Sequence, residues 1–194
     1  MRLRNSAGFV AFAVLLLVPG RATADVVTNW NAVAEIVAPR FGGAQQQSRV
    51  QAMVQIAVHD ALNAIDPRYE RYTGLPLADP HASPDAAVAA AARRTLLELL
   101  APLPSSAPKQ AAIDAIAAAF LATVGSGPYD ADTQAGIDVG DEAANAILTL
   151  RMADGSDTPN LPYTFLPAPG VYQPTPNPEF PAVIMRSGKW TILS

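Results

Sequence analysis

Residues 47–67 read Gln-Ser-Arg-Val-Gln-Ala-Met-Val-Gln-Ile-Ala-Val-His-Asp-Ala-Leu-Asn-Ala-Ile-Asp-Pro. Val50, Met53, Val54, Ala57, Val58, Ala61, Leu62 and Ile65 recur at three- and four-residue intervals, so at about 100° per residue they fill one broad apolar arc. Gln55, His59, Asn63 and Asp66 fall opposite, with Asp60 at the border. Ser48 is the expected N-cap, its hydroxyl accepting from a free backbone N–H. Pro67 ends the segment, because a residue before proline is forced out of the helical region. The stretch predicts a helix of about five turns around which the chain is organised. It also carries the only histidine placed within a regular element.

Upstream, Arg2 and Arg4 precede an unbroken apolar run from Gly8 to Val18. Pro19 and Gly20 break that run, and Ala22-Thr23-Ala24 is a small-x-small cleavage site. This is the layout of a secretory signal over residues 1–24. The run is shorter than the roughly 20 residues a spanning helix needs; the alternative is an uncleaved membrane anchor. The reading places the mature chain outside the cytoplasm, secreted or periplasmic, with no stable membrane span. The signal holds three of the 13 basic residues and none of the 17 acids, which leaves 10 against 17, a net charge of −7. An acidic domain without a basic cluster argues against nucleic acid as a partner. There is no cysteine, so packing alone must hold an exported fold together, and a thiolate zinc site is excluded.

Further helices are expected on both sides of residues 47–67. Asn29 can cap one from Trp30 to about Ala38, with Trp30, Val33, Ile36 and Val37 on one side and Pro39 as its end. Proline- and glycine-marked residues 68–83 form a loop in which Tyr69 and Tyr72 read as packing lids. Ser83 with Pro84 opens an alanine-rich helix to about Ala101. Ser106 and Pro108 open another, through Ile113, Ile116, Ala117, Phe120, Leu121 and Val124, and Gly125-Ser126-Gly127-Pro128 ends it. Asp130 or Asp132 caps a fifth to Arg151, with Ile137, Ala144, Ile147, Leu148 and Leu150 apolar. No segment sustains two-residue alternation. The fold class is therefore all-α, a bundle of about five helices over residues 25–154. Residues 155–194 carry eight prolines between Pro159 and Pro181. They predict an extended aromatic strap rather than helix or central strand.

Three pieces in order carry a resemblance: Trp30-Asn31; Ala52-Met53-Val54 through Asp60-Ala61-Leu62-Asn63-Ala64-Ile65; and Pro169-Gly170-Val171-Tyr172-Gln173-Pro174-Thr175-Pro176 followed by Lys189-Trp190-Thr191. The order resembles the N-terminal half of exported bacterial proteins similar to vanadium-dependent haloperoxidases, of the phosphatidic-acid phosphatase type 2 superfamily. It covers essentially all of the mature chain. The resemblance implies a helical bundle and, in a full-length relative, a site that binds vanadate or phosphate. It also implies peroxidase (oxidoreductase) or phosphatase chemistry through Lys-x6-Arg-Pro, Pro-Ser-Gly-His and Ser-Arg-x5-His motifs. Cations and donors there neutralise a trigonal-bipyramidal oxyanion, and histidines bind the metal or attack phosphorus and move a proton.

None of the three motifs occurs here. Lys109 lacks the Arg-Pro, Arg186-Ser187-Gly188-Lys189 lacks the flanking proline and histidine, and His59 lies too far beyond Ser48-Arg49. His59 and His81 are the only histidines. The expectation is a chain cut short before its active site, with no catalytic, cofactor-binding or metal-binding residue carried over and no cofactor of its own. Its expected partners are a second copy or the missing C-terminal half. His59 and Asp60 are the polar-face candidates for acid–base or metal chemistry, set against a plain polar helix face, because a ligand set needs a third group. Asp130, Asp132, Asp138 and Asp141 miss the spacing of a calcium loop and read as helix-start acids. Ser187-Gly188 lacks a nucleophile-elbow context. The non-enzymatic alternative is a helical binding or assembly module of the cell envelope.

Overall fold

The computed structural model describes residues 25–156 together with 161–162, 166, 168–170 and 183–184. The proposed signal over residues 1–24, most of the proline-rich strap and Ser187-Gly188 lie outside the described residues. Five helices follow in order: α1 (Val26–Val37), α2 (Ala44–Ile65), α3 (Pro84–Leu100), α4 (Ala107–Val124) and α5 (Ala131–Arg151). A 3-10 turn, Ala38–Phe41, joins α1 to α2. Past α5, β1 (Leu161–Pro162) pairs antiparallel with β2 (Val183–Ile184). The expected all-α bundle is the architecture found. No helix among the described residues is long and apolar enough to cross a membrane.

Local chemistry sets most helix starts. Ser83 and Ser106 accept from Ala86 N and Lys109 N, with proline in the first turn of each helix. Asp130, not Asp132, caps α5 by accepting from Thr133 N at 2.8 Å, which holds its carboxyl below the usual range. Two expected caps are corrected. Asp25 caps α1, accepting from Thr28 N at 2.7 Å, so Asn29 lies inside the helix. Gly43 precedes α2, and Ser48 donates back to Ala44 O at 2.8 Å from within the helix. The run Ala44-Gln45-Gln46-Gln47 favours helix, so α2 extends one turn ahead of Ser48. Trp30, Ala34 and Val37 share the buried side of α1, and Ile36, about 120° around the helix from Trp30, faces outward and is 64% exposed.

The centre of the bundle is α3, not α2. It packs against α1, α2, α4 and α5, and Ala86 through Ala92 are all buried. A helix with no solvent-facing arc along that run must be covered on every side. Its closest neighbour is α5. A Cβ placed on Gly136 would lie 2.3 Å from Ser83 O, and one on Gly140 would lie 2.3 Å from Ala87 O. Both positions must be glycine for the two backbones to come this close. Ser83 N also donates to Asp132 O at 2.8 Å, so the seam begins where the N-cap of α3 meets the first turn of α5.

The far end of α5 is tied to α2. Arg49 Nε and Nη2 donate to Asp154 Oδ2 at 3.1 and 3.0 Å, and Nη2 also reaches Arg151 O at 3.2 Å. Burial pushes the Asp154 carboxyl up, but hydrogen bonds from Ser156 and the Arg49 guanidinium outweigh it and hold the carboxyl below its ordinary value. The pair therefore stabilises the fold above the unfolded carboxylate range, and that contribution is lost as pH falls through the lowered folded value.

Gly140→Ala is expected to destabilise the protein by about 2 kcal/mol in urea unfolding. Overpacking against the Ala87 carbonyl outweighs the roughly 1 kcal/mol gained in helix propensity. A neutral or stabilising effect would show that α3 and α5 are farther apart than described.

A polar staple on α2 and an apolar cleft beside α3

The polar line of α2 is not a solvated face, because residues 68–75 lie across it. Asp60 is fully buried. Its Oδ1 accepts from Tyr72 N at 2.7 Å, and its Oδ2 accepts from Thr73 N at 2.7 Å and Thr73 Oγ1 at 2.5 Å. Asn63 is buried beside it, accepting from Tyr69 N and donating to His59 O, both at 2.8 Å. His59 Nε2 lies 3.0 Å from Glu70 O. A carbonyl can only accept, so this ring nitrogen carries the hydrogen. Gln55 bonds Asn31 of α1, and Arg71 donates to Leu75 O and Asn63 O.

The arrangement gives backbone N–H groups of an irregular segment the acceptors they need under burial. It also brings Leu75 into the core. His59 and Asp60 are thus both engaged in holding the loop. The loop tyrosines are not lids. Tyr69 is 71% exposed, its ring 6.3 Å from that of His59, and Tyr72 is exposed and accepts from Arg151. Asp66 pairs with Arg68 at the surface. His81 is exposed, its backbone N–H donating to Asp79.

An oxyanion such as vanadate does not fit these residues. The partner of His59 Nε2 is a carbonyl oxygen, and the neighbouring side chain Asp60 is an acid, so the local field opposes an anion. Arg71, the cation of this segment, is engaged by two carbonyls. Among the described residues, no three His, Asp or Glu side chains form a metal-binding group.

A different feature lies between α3, α4 and α5: an open cleft of about 450 Å³, within the size range of small-molecule sites. Leu97, Ile113, Ile116, Phe120 and Leu121 line it, with Arg93 and Asp141 among its polar groups. The Arg93 guanidinium lies over the Phe120 ring, 3.8 Å from its centroid. Its Nη2 is 3.8 Å from Asp141 Oδ1, an ion pair too long for a hydrogen bond. Asp141 Oδ1 is buried with no hydrogen-bond partner among the described residues. Burial pushes the Asp141 carboxyl up, against the pull of Arg93 and Arg94. Arg94 is otherwise engaged, with Nε 2.7 Å from Asn145 Oδ1 and Nη2 3.7 Å from Glu98.

In sequence, Asp130, Asp132, Asp138 and Asp141 read alike as helix-start acids. The structure separates them. Asp130 caps, Asp138 accepts from Gln134 on the same helix, and Asp141 lines the cleft. Arg93 was not singled out at all, and the one available signal was its position inside an alanine-rich apolar helix. No family model matches the chain, and comparisons with curated proteins and with solved structures found no match.

Asp60→Ala is expected to destabilise the fold by about 3 kcal/mol, because it strips acceptors from buried donors. A solvated polar position would tolerate the change within about 0.5 kcal/mol. Urea unfolding of the variant separates the two.

Proposed function

We propose that this chain is the helical portion of an exported protein of haloperoxidase or acid-phosphatase type, and that it is catalytically silent by itself. The observation that carries this reading is the engagement of His59 and Asp60 in the loop staple. The helix face with catalytic residue types has a complete structural occupation instead. The order of Trp30-Asn31 and Asp60-Ala61-Leu62-Asn63 in the sequence is what supports the family assignment. The Lys-x6-Arg-Pro, Pro-Ser-Gly-His and Ser-Arg-x5-His motifs are missing from the 194 residues.

The purified chain is expected to show no vanadate-dependent halide oxidation and no phosphomonoester hydrolysis above blank. Turnover that disappears in His59→Ala would overturn the silent reading. Sequencing the gene past the Ser194 codon in all three frames tests the family assignment separately. The three motifs are expected there, and their absence would remove its support.

A second reading, a non-enzymatic binding or assembly module, is favoured by exposed apolar side chains. Leu121 at the cleft and Leu150 on α5 are each more than half exposed, and such surface favours association when contiguous. In this reading the chain is expected to self-associate at micromolar concentration in sedimentation velocity. A monomer with a single cooperative melt would count against it.

A further inference from the structure

We infer that the cleft beside α4 receives the same edge of a second copy of this chain, through antiparallel pairing of the two α4 helices about a twofold axis at Ala117. This rests on the assembly reading above and names its surface. Ile113, Ala117 and Leu121 follow at four-residue intervals and so share one stripe of α4 at the cleft. Ala117 is exposed, Leu121 is 54% exposed and Ile113 is half-buried. The stripe thus has a small residue at its middle and a branched apolar residue one turn to either side. Turned end for end about Ala117, it sets Leu121 of each copy against Ile113 of the other. Alanine at the crossing lets the two backbones come close, and each leucine enters the other copy's cleft beside Leu97 and Ile113. A twofold contact needs one patch that complements itself. A knob and a hollow equally spaced from one small residue meet that condition.

The charges fall in the same register. Helices α3 and α4 are antiparallel neighbours joined by residues 101–106, with Lys109 Nζ donating to Ala101 O at 3.0 Å. Arg93 of α3 stands over Phe120 of α4. Three residues further along α3 is Leu96, and three residues back along α4 is Ala117, so the axis lies level with the midpoint of Arg94 and Glu98. Arg94 Nε is held by Asn145, while its Nη2 is 3.7 Å from Glu98 Oε1, too far for a hydrogen bond. An antiparallel copy presents this pair in reverse order, so cation meets acid. Asp114, an acid on the exposed side of α4, comes level with Phe120 of the other copy, where Arg93 stands. Unlike charges meet at both places, and a second copy supplies them by symmetry alone.

The test compares the purified chain with two variants of it in sedimentation velocity. The chain is expected to dimerise at micromolar concentration. Leu121→Glu is expected to weaken the dimer at least tenfold, because each copy would set a carboxylate against an apolar wall. Its helix content by circular dichroism is expected to be unchanged, since position 121 is open in the single copy. The chain has no cysteine, so Ala117→Cys carries one thiol, placed on the axis, and is expected to give a disulfide-linked dimer on oxidation with diamide. Ala32→Cys, on the exposed side of α1, is expected to stay unlinked under the same treatment. A chain that remains monomeric would overturn the assembly reading and this surface together. A dimer that withstands Leu121→Glu, or one in which Ala117→Cys links no better than Ala32→Cys, would overturn this surface alone and leave the assembly reading standing.

Discussion

The close approach of α3 and α5 is the constraint on which the rest of this structure depends. Two glycines one turn apart, Gly136 and Gly140, let the α5 backbone rest against the carbonyls of Ser83 and Ala87. On the α3 side the contact is made of alanine, whose methyl group adds little height. With α5 this near, α3 is enclosed by the remaining helices, and Ala86 through Ala92 disappear from solvent. An alanine-rich helix has little apolar area per residue to bury, so its stability depends on burial from every side and on short distances between neighbours.

Other features follow from that placement. The turn of chain between α2 and α3 must reach the α5 N-terminus, where Ser83 N meets Asp132 O. It does so as an irregular segment pressed onto α2, and Asp60 and Asn63 supply acceptors that such a segment lacks internally. At the opposite side of the seam, α4 covers only part of the groove between α3 and α5. The uncovered part is the cleft with Arg93, Phe120 and Asp141. One close contact thus accounts for both a polar cluster that is fully engaged and one that is not.

Much of the fold was legible because it is local. Ser83-Pro84, Ser106 and Asp130 mark helix starts by side-chain bonds to residues three positions on, and the Gly125 break sits where α4 ends with a positive φ of 81°. Asn29 and Ser48 were misread because cap preference ranks residue types, and a stronger cap at Asp25 or a helix-favouring run before Ser48 overrides it. Ile36 is apolar but lies about 120° around the helix from Trp30, so residue type suggests an inward side chain where the helical phase does not. The centrality of α3 was not legible from periodicity. Alanine signals weakly on hydropathy, and full burial leaves no polar arc to detect. Gly136 and Gly140 were its unread signal. The candidates His59 and Asp60 were visible as residues on a face, but what covers that face is set by backbone groups twelve and thirteen residues away. Arg93 and Asp141 meet only through the seam, so no sequence spacing could pair them.

The seam and the staple form one cooperative unit, so that the polar line of α2 serves structure. Native-state hydrogen exchange tests this most directly. The amides of Tyr72 and Thr73, although in irregular chain, are expected to exchange as slowly as those of Ala89 to Ala92 in α3, opening only with global unfolding. Fast exchange at Tyr72 and Thr73 with slow exchange in α3 would contradict the account. It would show a loop that lifts freely and leaves His59 and Asp60 open for other roles.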